Sequence, residues 1–215
     1  MNSSKPLLQP TWSYLLDHHS SLLHSHLFSA LFSNVTLSFY HHSCLMVIGP
    51  SHWRVPRPQI LGIAHRSLTE RDCVVHTLLL TLFFVIPASV LQSGLRAQIE
   101  LPSRAPTILE IVTGLMASLL LFDAQYFVWH CLHHACPGLY RSVHAKHHQV
   151  LQPFAWSTQF MSPYELFATG LWTAMDPIVL GLHPLTGLLF SILNVYLSVE
   201  VCFTHPLPEQ LSSAI

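Results

Sequence analysis

Apolar residues in this chain run in long blocks separated by short polar stretches. The first block is "LFSALFSNVTLSFYHHSCLMVIG" (27–49), interrupted by His41 and His42. The second is "VVHTLLLTLFFVIPASVL" (74–91), and the third, "ILEIVTGLMASLLLFDAQYFVW" (108–129), leads directly into a histidine-rich segment. A final apolar tract covers 164–199 and is broken at Asp176-Pro177 and His183-Pro184. Crossing a bilayer takes about 20 mostly apolar residues, which these blocks supply. Proline disfavours helix at the residue before it, so the last tract is expected to be two helices with a bend. The pattern predicts an all-α, polytopic membrane helix bundle of about four spans, with the histidine-bearing helices on its cytosolic side. Three regions follow: a membrane region over 1–107, the histidine-bearing region over 108–200, and a tail over 201–215. No solenoid repeat or low-complexity segment is present.

Composition supports the membrane reading. Only 9% of residues are charged, 51% are hydrophobic, and the mean hydropathy is +0.44. A soluble domain carries about 25% charged residues. A net charge of −1 with no basic stripe argues against nucleic acid as a partner. Five cysteines, none in a CxxC pair, exclude a disulfide framework or a zinc ribbon. The N-terminal apolar run is cut by Asp17, His18 and His19, which makes a poor signal peptide. Arg54, Arg57, Arg66 and Arg71 lie between the first two blocks, against Arg96 and Arg104 between the next two. Positive charge favours the cytosolic side, so the four-arginine loop and the histidine segment are expected there. The N-terminus, with the glycosylation sequon Asn2-Ser3-Ser4, would then be lumenal.

"WHCLHHACPGLYRSVHAKHH" (129–148) gathers six histidines in twenty residues. On a helix His130 and His134 stack on one face, as do His144, His147 and His148. Pro137 and Gly138 break the helix between them and let the chain reverse. Two short helices joined by that turn would present five imidazoles to one space. Neutral imidazole is a good ligand for iron, zinc, copper or nickel. The plainer reading is a set of polar residues at a membrane boundary, but two clusters at ligand spacing beside a span favour a metal. Asp123, seven residues before His130, is a candidate to accept the second ring N–H of a ligand histidine; a solvent-facing interfacial carboxylate is the alternative. His133 lies beside the ligand face and is a second candidate for such support. His18, His19, His24, His26, His41, His42, His52, His65 and His76 are expected to be structural or interfacial. His183 and His205 precede prolines as turn residues, though His183 is also a candidate to approach the site.

H-x3-H at His130–His134 followed by H-x2-HH at His144–His148 resembles the histidine boxes of the membrane fatty acid hydroxylase and sterol desaturase superfamily. "LLQPTW", "LLLFDAQYFVWHCLHHACPGLYRSVHAKHHQ", "FAWSTQFMSPYELF", "LGLHPLTGLLF" and "NVYLSVE" are similar to its cholesterol 25-hydroxylase-like branch. The resemblance covers roughly 6–40 and 108–200. It implies an endoplasmic reticulum membrane monooxygenase with a non-haem di-iron centre acting on cholesterol or a related sterol. Its partners would be O2, the lipid bilayer and a membrane reductase carrying electrons from NADPH. In that pattern "LSVE" is followed by a further histidine and a third box containing H-x2-HH. Here the sequence reads "VCFTHPLPEQLSSAI", with Cys202 about where that histidine belongs and His205 in no such pattern. The expectation is a shortened chain with as few as one iron and impaired turnover. Two other readings stay open. One is a non-catalytic metal-binding membrane protein derived from the hydroxylases; the other is a metal transporter, which would spread its ligands over several spans near the midplane.

Overall fold

The structure, a computed structural model, describes residues 6–23, 70–87, 90, 101–149 and 155–202. The candidate span 27–49, the Asn2 sequon, the loop with Arg54, Arg57 and Arg66, and the tail with His205 lie outside the described residues. Within the described residues every regular element is helical. The helices are α1 (Gln9–Leu23), α2 (Glu70–Leu80), α3 (Ile108–Ala135), α4 (Pro137–Leu139), α5 (Pro163–Val179) and α6 (Pro184–Cys202). α2 continues into a π turn, Thr81–Val85, and a second π turn, Tyr140–His144, follows α4.

Helix α3 is the one described helix long and apolar enough to cross a membrane; Pro184–Val199 within α6 is apolar but shorter. α3 starts at a complete capping box. Thr107 Oγ1 accepts the Glu110 N–H at 3.2 Å, and Glu110 accepts the Thr107 N–H at 2.6 Å. Such a cap contributes about 1 kcal/mol. Its 28 residues make about 42 Å of helix against a hydrocarbon core of about 30 Å. Leu109, Val112, Met116, Leu120 and Phe127 are exposed at helical spacing and give it a continuous apolar outer face.

Two sequence expectations are corrected here. The first histidine pair does not sit on a separate short helix, because nothing before Pro137 breaks α3 and its last turns carry His130 and His134. The final tract is two helices with a bend at Leu180–His183, as His183-Pro184 predicts, but the break expected at Asp176-Pro177 does not form and α5 runs through Pro177. What stops α5 is Gly181, at φ +63°. Its N–H reaches the Ile178 carbonyl at 2.9 Å, and the Leu182 N–H reaches the Pro177 carbonyl at 2.8 Å. This is the paired-bond helix stop that a left-handed glycine allows.

α3, α5 and α6 pack together, and their contacts set their directions. α6 runs parallel to α3. Thr186 lies against Gly114, where a Cβ would stand 2.9 Å from Thr186 Cγ2, and Phe190 meets Phe122 with ring centroids 6.4 Å apart. α5 runs back along α3, with Asp176 Oδ1 accepting from Gln125 Nε2 at 3.1 Å and Trp172 edge-on to Phe122. Asn194 of α6 donates to Thr173 Oγ1 of α5 at 2.9 Å. α1 clamps the segment before α3. Trp12 Nε1 donates to the Pro102 carbonyl at 2.7 Å, while Gln9 donates to the Ser103 carbonyl and accepts the Ala105 N–H. The consequence for function is an antiparallel pairing that brings the first turn of α5 to the end of α3, where the histidines are.

Candidate metal centre

The C-terminal turns of α3 carry His130 and His134. Cys136, extended at φ −109°, ψ 103°, ends the helix before Pro137. The chain then reverses through α4 and the π turn, delivering His144 and, within a 3-10 turn at His147–Gln149, His148. Four Nε2 atoms converge. His134 Nε2 is 3.1 Å from His130 Nε2 and 3.1 Å from His148 Nε2, and His148 Nε2 is 2.9 Å from His144 Nε2. The ligand atoms of His130, His134, His144 and His148 all lie within 4.8 Å of one another. Each close contact is satisfied by one ring N–H donating to a neighbouring lone pair, or by lone pairs facing a common cation.

His147 stands apart from this group. It is not in the group of four whose ligand atoms converge, and its buried Nδ1 has no hydrogen-bond partner among the described residues. The reason is the backbone. The i, i+3, i+4 spacing shares a face only on an α-helix, and here a π turn passes into a 3-10 turn between His144 and His148.

The remaining sequence candidates fall elsewhere. Asp123 is exposed on α3, and among the described residues no hydrogen bond joins it to an imidazole. His133 is buried, but its Nδ1 turns to the Trp129 carbonyl at 2.7 Å and its ring stacks on Trp129 with centroids 3.7 Å apart. His183 lies at the opposite end of α3. Its Nε2 bonds the Arg104 carbonyl, its Nδ1 accepts the Leu185 N–H, and its ring meets Trp12. Both nitrogens are used, so His183 does not join the cluster. His76 is structural, bonding the Met161 carbonyl at 2.9 Å. Cys131 is exposed and is not part of the group.

Sequence reasoning missed Glu165. On α5 its Oε1 lies 2.9 Å from His144 Nδ1, and both side chains are almost fully buried. The local signal, Ser162-x-x-Glu165, reads as a capping box. Only half of that box forms: Ser162 Oγ accepts the Glu165 N–H at 3.2 Å, while the carboxylate turns to His144.

Aromatic rings flank the cluster, in which His144 is buried while His134 and His148 are exposed. Trp129 is edge-on to His144, Tyr126 leans on His130, and Tyr140 lies over His134 and His148. Burial, followed by the neighbouring imidazoles, lowers the pKa of His144 to about 3 and that of His147 to about 4. His148 is lowered by burial and then by His134. These rings are therefore uncharged at neutral pH, the state in which imidazole binds a metal. Four Nε2 donors converging on one space fit a transition metal.

With this geometry in view, the chain can be placed by comparison. The fatty acid hydroxylase family profile matches residues 115–212. The chain is 38% identical to human cholesterol 25-hydroxylase over 205 residues, covering 93% of this chain and 74% of that protein. It is also 38% identical to cholesterol 25-hydroxylase-like protein 2 of Danio rerio, over 92% of this chain and 72% of that one. A cholesterol 25-hydroxylase-like protein of Caenorhabditis elegans is 28% identical over 95% of the chain and 69% of its own length. No solved structure matches. The chain belongs to the fatty acid hydroxylase family, among relatives named for cholesterol 25-hydroxylation.

Proposed function

We propose that the chain is a sterol hydroxylase-type membrane protein that holds iron on His130, His134, His144 and His148. The observation that carries this reading is the convergence of the four Nε2 atoms. The observed contacts are 2.9, 3.1 and 3.1 Å, close enough for these imidazoles to hold one shared metal. When bound, iron supplies the activation of O2 needed to hydroxylate an unactivated C–H.

The residues around the cluster have definable tasks. Trp129 and Tyr126 pack on His144 and His130, and the Trp129 carbonyl and ring are held by His133. The apolar outer face of α3 lies along the path of a substrate dissolved in the bilayer. The substrate proposed is cholesterol or a related sterol, from the relatives' names and the shared histidine pattern. Hydroxylation consumes O2 and two electrons, which a membrane reductase drawing on NADPH would deliver from the cytosol. An endoplasmic reticulum location with the histidines cytosolic agrees with the arginine distribution and with His130 and His134 lying about 30 Å or more along α3 from its start.

Four clustered imidazoles suffice for one metal. This group is proposed to hold one iron tightly. A second reading is a metal-binding relative without turnover. The test is oxysterol analysis by mass spectrometry in cells lacking their own sterol hydroxylase. Wild-type chain is compared with the His134→Ala/His148→Ala variant. Product from the wild type that vanishes in the double variant supports the hydroxylase reading. No product from the wild type, with iron retained, supports the non-catalytic one. Robust product that survives in the double variant contradicts both.

A further inference from the structure

We propose that Glu165 is the positioning residue of the cluster: by accepting the Nδ1–H of His144 it fixes that ring with a bare Nε2 turned toward His148. The inference rests on the metal reading above and deepens it. Three observations carry it.

The first is the tautomer that the geometry demands. A neutral imidazole has one N–H and one lone pair, and the partner of one nitrogen decides the state of the other. Glu165 Oε1 lies 2.9 Å from Nδ1, and Nε2 meets His148 at 2.9 Å. In its ionised form Glu165 accepts and cannot donate, so it selects the Nδ1–H form and leaves Nε2 free to ligate.

The second is a comparison within the molecule. Thr107-x-x-Glu110 closes both halves of its capping box, whereas Ser162-x-x-Glu165 closes only the backbone half. Glu165 has given up the local partner that its position on the helix offers and reaches His144, 21 residues away in sequence. A residue serving only the helix end would have turned back as Glu110 does.

The third is charge. The Glu165 side chain is 1% exposed, and its Oε2 has no partner among the described residues. A buried carboxylate is costly unless positive charge lies near. A cation among the four Nε2 atoms, one imidazole away, supplies that charge. The His144 ring then links carboxylate and metal as in carboxylate–histidine–metal triads, whose loss costs about 10–100-fold in affinity.

The experiment uses the 215-residue chain in detergent or nanodiscs, with Co(II) as the probe metal. Glu165→Gln can present its NH2 to Nδ1 and so permits the wrong tautomer. It is expected to bind Co(II) at least about tenfold more weakly, with altered visible absorption bands. Thr107→Ala breaks the other capping box and is the structural control; it should lower thermal stability and leave Co(II) affinity unchanged. A readout without metal decides the tautomer: 15N spectra of histidine-labelled protein, recorded above the Glu165 pKa of about 8, should show His144 as Nδ1–H in wild type and shifted toward Nε2–H in Glu165→Gln. Glu165→Asp, which withdraws the carboxylate by one methylene, should show the same shift if Glu165→Gln folds poorly. Equal Co(II) affinity in Glu165→Gln and wild type, or an Nε2–H His144 in wild type, overturns the inference. Failure of the wild type to take up Co(II) overturns the metal reading, and the tautomer measurement still decides the role of Glu165.

Discussion

His134 and His148 are fourteen residues apart in sequence, yet their Nε2 atoms lie 3.1 Å apart. One sits on the last turn of α3, the other beyond a reversal built by Pro137 and two irregular turns. His134 is the hinge of the cluster, since its Nε2 is also 3.1 Å from that of His130.

That central place gives the first prediction. His134→Ala should weaken the first bound metal at least about tenfold. His147→Ala should cost less, because its ring is outside the group of four. Co(II) titration of both variants checks the order. A larger loss from His147→Ala would mean that its ring turns into the site on binding.

The acid response follows from the two depressed histidines. His144 falls to about 3 and His147 to about 4, against 6.5 when unfolded. The unfolded chain therefore takes up protons first as pH falls. The stability linked to the neutral rings is complete above about pH 6.5 and is lost as pH drops from there through about 4 and toward 3. The melting temperature of the metal-free chain should be flat from pH 8 to 7, then decline, and decline less in His147→Gln. An unchanged midpoint at pH 5 would contradict this.

Close approach of α3 and α6 is testable at Gly114. A Cβ there would lie 2.9 Å from Thr186 Cγ2 and 3.2 Å from Leu182, whereas one at Gly170 would meet nothing within 4 Å. Gly114→Val should cost about 1–3 kcal/mol from overpacking. Gly170→Ala should be neutral or slightly stabilising. Thermal unfolding in one detergent compares the two directly, and equal stability would mean the helices are not this close.

Topology has its own check. Nothing lies within 4 Å of a Cβ built at Gly138, so a short tag fits in that turn. In intact microsomes the tag should be digested by added protease. A shielded tag would place the histidines in the lumen and remove a cytosolic reductase as partner.

Much of this site was legible in the sequence because its key pairs sit on uninterrupted backbone. His130 and His134 obey the four-residue helical spacing, and no breaker intervenes before Pro137. The second cluster was legible in composition but not in register, since π and 3-10 turns are decided by packing and not by residue type. This is why His148 enters the group and His147 does not. Asp123 has the right spacing from His130, but spacing fixes a face of the helix without saying what packs on it. Glu165 was hidden by its own capping signature, and only the antiparallel return of α5 brings it to His144. Pro177 looked like a break because proline disfavours helix at the preceding residue, yet α5 tolerates it near its end and stops at Gly181.

The central claim is that four imidazoles hold one metal. Its most direct test is the iron content of the purified 215-residue chain, expressed with iron and measured by elemental mass spectrometry. The comparison is the variant with both His134 and His148 replaced by alanine, with circular dichroism confirming equal helix content. The account predicts about one iron per wild-type chain, since its four clustered donors suit a single metal, and almost none in the variant. Equal iron in both would contradict it.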